Sequence, residues 1–273
     1  MAILRKCMVL AGALVLAGCQ AVNTTGSSAV GVDRQQYFFS MLTTEEINQS
    51  YAQAYKETLD KAQAQGKLDT RSQNAKRLQN IARDLIGQVG YFRRDATQWD
   101  WQVSLINSPE LNASCGPGGK IIFYSGIITK LKLSDDEIAA VMGHEIAHAL
   151  REHSREAMSK AYGIEMAKLG LGAMLGVDQN TMSIADTAVQ YGMMLPNSRS
   201  AETEADLLGI ELAARAGYNP NAAVSLWRKM EQASQGEPAE FMSTHPSSST
   251  RIATLQANIP KVMPLYEQAR RRR

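Results

Sequence analysis

Two histidines and a glutamate stand together at His144-Glu145-Ile146-Ala147-His148. On a helix, residues four apart lie about 40° apart around the axis, so His144 and His148 project from one face and can share a tetrahedral zinc ion. Glu145 lies beside them, close enough to hydrogen-bond a water on that ion. Zinc draws the pKa of such a water towards neutrality, and the carboxylate then takes its proton as the oxygen attacks a carbonyl. The chain has four histidines and two of them form this pair. Ile146 and Ala147, between them, are uncharged.

Zinc needs a third protein ligand. One known arrangement would place it at position 154 with a glycine at 151; those positions hold Ser154 and Arg151. His153 is nine residues from His144, about 180° around a continuous helix, which makes it a surface residue. The stretch Ser198-Arg199-Ser200-Ala201-Glu202-Thr203-Glu204-Ala205-Asp206 is the better source. Glu202 and Asp206 are four apart and face one way on a second helix. One can bind the metal, with Glu202 the better candidate, while the other fixes the tautomer of a ligand histidine. Glu204, about 200° from Glu202, points elsewhere.

The elements that must carry these residues are legible around them. Ser134-Asp135-Asp136-Glu137 is a capping box that opens a long helix predicted to run to about Tyr162, with Ile138, Val141, Met142, Ile146 and Ala149 as its apolar stripe. Further helices are predicted at about 44–65, 70–87, 198–216 and 220–234, with a last one from Ser249 to about Ile259-Pro260. Trp99, Trp101, Val103 and Leu105 alternate as a strand, Gly116-Pro117-Gly118-Gly119 is a breaker, and Ile121-Ile122-Phe123-Tyr124 is a second strand before a short helix to about Lys132. Residues 163–177 are apolar and glycine-rich but too short and broken for a membrane span. They fit a buried helix better than a mobile cover. Residues 235–249 read as loop.

The N-terminus resembles a bacterial lipoprotein signal. Arg5 and Lys6 precede an apolar run from Cys7 to Leu16, and Leu16-Ala17-Gly18-Cys19 ends it. This implies cleavage before Cys19, lipid on that residue, and, with Gln20 following, an outer-membrane destination. Residues 19–42 then read as a flexible tether, 43–260 as the folded domain and 261–273 as a basic tail. Removal of 1–18 takes away Arg5 and Lys6 and no acid, leaving basic and acidic residues balanced at 27 each. That excludes an electrostatic case for nucleic acid. Of three cysteines, only Cys115 would remain in the body, so no internal disulfide forms.

Taken together, the chain resembles the M48 family of zinc endopeptidases, the group that includes the CAAX prenyl protease, and is most similar to its periplasmic lipoprotein members. The resemblance covers about residues 75–260. It is carried by Asn112-Ala113, Pro117-Gly118-Gly119, Tyr124-Ser125-Gly126, His144-Glu145-x-x-His148, Ser198-Arg199-x-x-Glu202-x-Glu204-Ala205-Asp206, and His245-Pro246 with Arg251. It implies His144, His148 and Glu202 as zinc ligands, Glu145 as base and Asp206 as support for a histidine ligand. It further implies that His245 and Arg251 face the site, with His245 either stabilising an oxyanion or closing a latent zinc site. The strand Ile121–Tyr124 becomes the edge that receives an extended substrate.

Where the family has an apolar pair this chain has Ser114-Cys115-Gly116, which raises an inhibitory thiolate as an alternative to an inert buried thiol. The expected architecture is α+β and mainly helical, a gluzincin-like zincin fold with a small sheet beside the metal helix. The expected partners are protein substrates of the cell envelope, a membrane reached through the N-terminal lipid, and unidentified envelope-assembly factors. The alternatives are a chaperone-like assembly factor on a latent peptidase fold and a structural lipoprotein with incidental zinc.

Overall fold

The computed structural model describes residues 19–40, 42–175, 198–234, 240–245 and 249–272. In chain order its elements begin with β1 (Cys19–Val22), β2 (Gln36–Phe39), α1 (Thr44–Ala64), β3 (Leu68–Asp69) and α2 (Gln73–Ile86). Next come β4 (Gln102–Ile106), β5 (Ala113–Gly116), β6 (Lys120–Tyr124), α3 (Ser125–Lys130) and α4 (Asp135–Leu150). After them follow α5 (His153–Leu175), α6 (Arg199–Arg215), α7 (Ala222–Ala233), α8 (Glu240–Thr244) and α9 (Ser249–Arg270). This is the expected mainly helical α+β fold, with a small sheet beside the metal helix.

The capping box forms as the sequence requires. Ser134 Oγ accepts from the Glu137 N–H at 3.3 Å, and Glu137 Oε2 accepts from the Ser134 N–H at 2.9 Å. From Ile138 to Leu150 every residue of α4 is buried. Its hydrophobic side chains Ile138, Val141, Met142 and Ile146 meet Leu78, Ile81 and Leu85 of α2, Trp227 and Met230 of α7, and Leu255 of α9 in one core. Burial of each such large aliphatic side chain contributes about 1.5–3 kcal/mol.

The main sheet has strand order β3-β4-β6-β5, with β4 and β6 parallel and the outer pairs antiparallel. Alternation along the strands sends Leu105, Ile121 and Phe123 into the core and Ile106 and Ile122 to the other face, where Tyr55 and Ala62 of α1 cover them. The β5–β6 turn is made by Gly118 and Gly119 at φ 73° and 83°. A Cβ on Gly119 would lie 2.6 Å from the Trp101 ring, so no other residue fits there.

Several expectations need correction. The strand Ile121–Tyr124 is internal; the edge beside the metal helix is β5, inside a stretch whose glycines and proline read as a breaker. The helix predicted to run to Tyr162 stops at Leu150, because Glu152 takes a left-handed conformation at φ 47°. Distant side chains pay for that break. Arg93 Nη1 donates to the Leu150 carbonyl at 3.2 Å and to Glu152 Oε1 at 2.6 Å, and Gln36 Nε2 donates to the Arg151 carbonyl. The last helix continues through Pro260 and Pro264 to Arg270, since Val262 is wholly buried and Met263, Leu265 and Tyr266 pack on the core. The segment 261–273 is therefore mostly helix, and residues 240–244 form a short helix in the expected loop.

Residues 19–40 are not a loose tether. β1 and β2 pair antiparallel, Phe38 and Gln36 are buried, and Val30 and Val32 join the core. The polar composition that suggests flexibility is used to solvate Arg151, a fully buried guanidinium. Arg151 Nη1 donates to Asn23 Oδ1 (2.6 Å) and Thr25 Oγ1 (3.1 Å), and Nη2 donates to the Arg34 carbonyl (2.7 Å). Residues 153–175 form a helix, and 176–197, like the signal-like segment 1–18, lie outside the described residues. Among the described residues no helix is long and apolar enough to cross a membrane.

Phe38→Ala should cost about 3–5 kcal/mol, the range for a buried aromatic, read as a lower urea midpoint; a free tether would leave the midpoint unchanged. Arg34 Nη1 and Nη2 each lie 2.8 Å from an oxygen of Glu156. Burial opposes the charge on Glu156, but Arg34 and Lys160 outweigh it and hold the carboxyl at about 2. That stabilisation is complete above the ordinary value of 4.5 and is lost as the pH falls through about 2. Unfolding free energies measured from pH 5 to pH 2 should therefore decline, and the decline should be shallower in Arg34→Ala.

Candidate metal centre

Helices α4 and α6 bring the ligands together because they cross at two glycines. A Cβ on Gly143 would sit 2.9 Å from the Gly209 carbonyl oxygen, and one on Gly209 would sit 2.8 Å from the His144 nitrogen. Backbone therefore lies on backbone. Ser198 caps α6, accepting from the Ala201 N–H at 3.3 Å, and the first turns of that helix carry Glu202 and Asp206 onto the histidines of α4.

His144, His148, Glu202 and His245 each offer one donor atom, all within 4.8 Å of one another, and all four residues are buried. His144 Nε2 and His148 Nε2 are 3.0 Å apart. Glu202 lies 3.3 Å from His148 Nε2 through Oε1 and 3.5 Å from His144 Nε2 through Oε2. A tetrahedron with metal–ligand bonds of about 2.0–2.1 Å has edges of roughly 3.3–3.4 Å, so this spacing fits zinc. Imidazole nitrogens this close repel unless a proton or cation lies between them. His245 Nδ1 is 2.9 Å from Glu202 Oε1 and 3.3 Å from His144 Nε2, on the same cluster.

Asp206 Oδ1 is 3.0 Å from His144 Nδ1, as a carboxylate fixing that ring's tautomer must be. Arg251 binds Asp206 through Nε (2.5 Å) and Nη2 (2.8 Å), approaches Glu202 Oε2 through Nη1 (2.9 Å), and stacks 3.5 Å over the Trp227 ring. Arg251 thus reaches the cluster from behind, holding its carboxylates, and does not line the cleft in front.

Burial opposes ionisation of Glu202, yet hydrogen bonds from His144, His148 and His245 hold its carboxyl far below the usual range. For Asp206 burial is outweighed by the Arg251 charge and the His144 contact, and the carboxyl is again low. Burial would lower His144, but Asp206 and Glu202 raise it to about 9; His148 is pushed well down, chiefly by burial.

Glu145 differs from the other two carboxylates. Burial raises it. Its Oε2 accepts from the Cys115 N–H of β5 at 3.3 Å, while Oε1 is buried without a hydrogen bond, 3.3 Å from His245 Nε2. It stands at the floor of a cleft of about 400 Å³, with Tyr51 and Tyr55 of α1 on one side and Ala113–Gly116 of β5 on the other. Cys115 also lines this cleft but is outside the donor set, and burial, then the Glu145 charge, push its thiol well up.

The sequence-predicted residues His144, Glu145, His148, Glu202, Asp206, His245 and Arg251 all converge here. Cys19 stands apart from them, at the start of β1. One expectation fails: His153 is buried, not on the surface. Its Nδ1 is 2.8 Å from His148 Nδ1 and its Nε2 is 3.1 Å from Glu204 Oε2. The helix break at Glu152, which no glycine or proline marks, swings it back to the site. Trp227 beneath Arg251 also escaped notice, since nothing separates it in the sequence from an ordinary core aromatic.

A family model described as Peptidase family M48 matches residues 72–259. The mitochondrial metalloendopeptidase OMA1 of Schizosaccharomyces pombe is 35% identical over 163 residues, which is 59% of this chain and 47% of that protein. The same-named protein of Saccharomyces cerevisiae is 34% identical, covering 62% of this chain and 50% of its own length. The β-barrel assembly-enhancing protease of Escherichia coli is 30% identical, covering 60% of this chain and 36% of its own length. The chain spans half or less of the length of these relatives.

Zinc added to chelator-stripped protein should bind at about one ion per chain. At free zinc 100-fold above the Kd it should raise the unfolding free energy by about 2.7 kcal/mol, measured by urea unfolding. An unchanged midpoint would remove the cluster from consideration as a metal site.

Proposed function

This chain belongs to peptidase family M48, and from that premise we propose that it is a zinc-dependent endopeptidase acting on proteins of the bacterial cell envelope. The observation that carries the reading is the placement of Glu145, which lines a cleft bordered by β5 and α1 and lies beside a buried set of four zinc donors. His144, His148 and Glu202 hold the metal. When bound, zinc supplies an activated water and polarises the scissile carbonyl. Glu145 takes a proton from the attacking water and returns it to the leaving amine. Asp206 fixes the His144 ring, and Arg251 holds Glu202 and Asp206 in place without touching substrate. As the edge of the sheet, β5 is the strand along which an extended peptide lies, with the Cys115 N–H shared between that peptide and Glu145 Oε2.

The envelope setting rests on the basic and apolar N-terminus ending at Leu16-Ala17-Gly18-Cys19. The relative from E. coli, named for β-barrel assembly, agrees with it, whereas the OMA1 relatives are named as mitochondrial. In this reading 1–18 is removed and Cys19 carries lipid. Cys19 opens β1, so the anchor adjoins the folded body and holds the cleft near the outer membrane. Misassembled envelope proteins are the substrates.

A second reading is favoured by one observation. His245 lies in the donor set itself, where it completes four ligands and leaves no open position for water. The zinc site is then latent, and the protein acts as a chaperone-like assembly factor until His245 withdraws.

Casein hydrolysis by the chain from Gln20 onward, compared with its Glu145→Gln variant and with bound zinc quantified in both, tests the proposal. Loss of roughly 10²–10⁴ in rate with zinc retained is the expected result for a missing general base. Equal rates in the two proteins would overturn it. Zinc in both with no cleavage by either favours the latent reading, and His245→Ala should then gain activity.

A further inference from the structure

Each of the two ligand histidines has a second ring nitrogen, and the two are served differently. His144 Nδ1 meets the Asp206 carboxylate directly at 3.0 Å. Among the described residues, His148 meets an imidazole at its Nδ1, where His144 meets a carboxylate. Its partner there is His153 Nδ1 at 2.8 Å, and His153 Nε2 is in turn 3.1 Å from Glu204 Oε2. All three residues are buried.

Only one arrangement of protons satisfies this chain of contacts. A metal on His148 Nε2 requires that nitrogen bare, so the proton of the neutral ring sits on Nδ1. His148 Nδ1–H must then donate, and His153 Nδ1 must accept. The neutral His153 ring therefore carries its proton on Nε2, which faces Glu204 Oε2, an oxygen that can only accept while ionised. Glu204 is kept ionised by two guanidinium groups: Arg151 Nε donates to Oε2 at 2.9 Å and Arg34 Nε donates to Oε1. The directions agree from Arg34 to the metal-facing nitrogen.

From this geometry we infer that His153 and Glu204 are positioning residues. They lock His148 in the tautomer and ring orientation that present Nε2 to zinc, and Arg34 of the N-terminal segment anchors the far end of the relay. The inference rests on the zinc reading above. It explains why α4 breaks at Glu152, since a helix continued through 153 would carry this imidazole away from His148. It also gives Glu204, two residues from a ligand, a task distinct from that of Glu202 and Asp206.

The test is zinc affinity measured by competition with a chromophoric chelator, together with the visible absorption of the cobalt-substituted protein. The proteins are wild type, His153→Ala and His153→Asn, the last keeping an amide oxygen that can accept from His148 Nδ1–H. Loss of such an outer partner weakens metal binding by roughly 10–100-fold, so that loss is expected in His153→Ala, with a changed cobalt band. His153→Asn should recover most of the affinity, which simple repair of packing would not produce. Should His153→Ala not fold, His153→Phe fills the space without either nitrogen and is expected to show the same loss. Affinity within about two-fold of wild type in the folded Ala or Phe variant, against the 10–100-fold expectation, overturns the relay but leaves the zinc site standing. So does an Asn variant no tighter than Ala. A wild type that binds no zinc overturns both.

Discussion

Donor atoms from two different helices can meet on one small ion only if the helices nearly touch. With side chains of ordinary size, helix axes stay about 8–10 Å apart. Here Gly143 and Gly209 remove the side chains at the crossing, and backbone meets backbone. The residues next to each glycine in register are the ones that do chemistry: His144 adjoins Gly143, and Asp206 and Glu202 lie one and two turns before Gly209. The sheet, the capping box and the flanking helices set where α4 lies, but the closeness of this crossing sets whether a histidine pair and a carboxylate become a site.

Such closeness concentrates charge away from water. Glu145, Glu202, Glu204 and Asp206 are all buried, and burial opposes the ionised form of each. The protein divides them by environment. Glu202 and Asp206 are committed as anions by histidines and by Arg251, and Glu204 by His153, Arg34 and Arg151. For Glu145 burial is the largest influence, and it raises the carboxyl. In the proposed reaction this is the carboxylate that accepts a proton, while the others hold the metal or orient its ligands. Arg251, buried against Trp227, directs its charge at Glu202 and Asp206 within the same cluster.

Much of this was legible in the residues themselves. The spacing of His144 and His148, the matching spacing of Glu202 and Asp206, and the capping box at Ser134 are local features whose geometry follows from 3.6 residues per turn. The features that stayed hidden depend on contacts distant in sequence. Glu152 is left-handed because Arg93 and Gln36 hold the carbonyls before it, and nothing within α4 announces that. β5 is short and lies against a proline-glycine turn, so strand propensity could not reveal it. Pro260 marked a helix end by the usual rule, but buried Val262 beyond it carried the helix on. Residues 19–40 look like linker by composition because their small polar side chains are acceptors for Arg151, more than a hundred residues away.

That last point alters what counts as the functional unit. The family match runs from residue 72 to 259, and within it lie every proposed metal ligand and the proposed base. Yet Tyr51 and Tyr55, which wall the cleft, belong to α1, and Arg34, which clamps Glu204, precedes even that helix. The matched part holds the proposed ligands and base, while α1 borders the cleft and Arg34 contacts a carboxylate behind them. Tyr51 packs against Gly116, where a Cβ would approach its ring to 2.8 Å, so α1 lies directly on the strand edge that receives substrate in the proposed reaction. A side chain entering between α1 and β5 must fit beside two tyrosines. In the proposed reaction α1, a helix outside the family match, therefore shares with the metal helix in choosing among peptides.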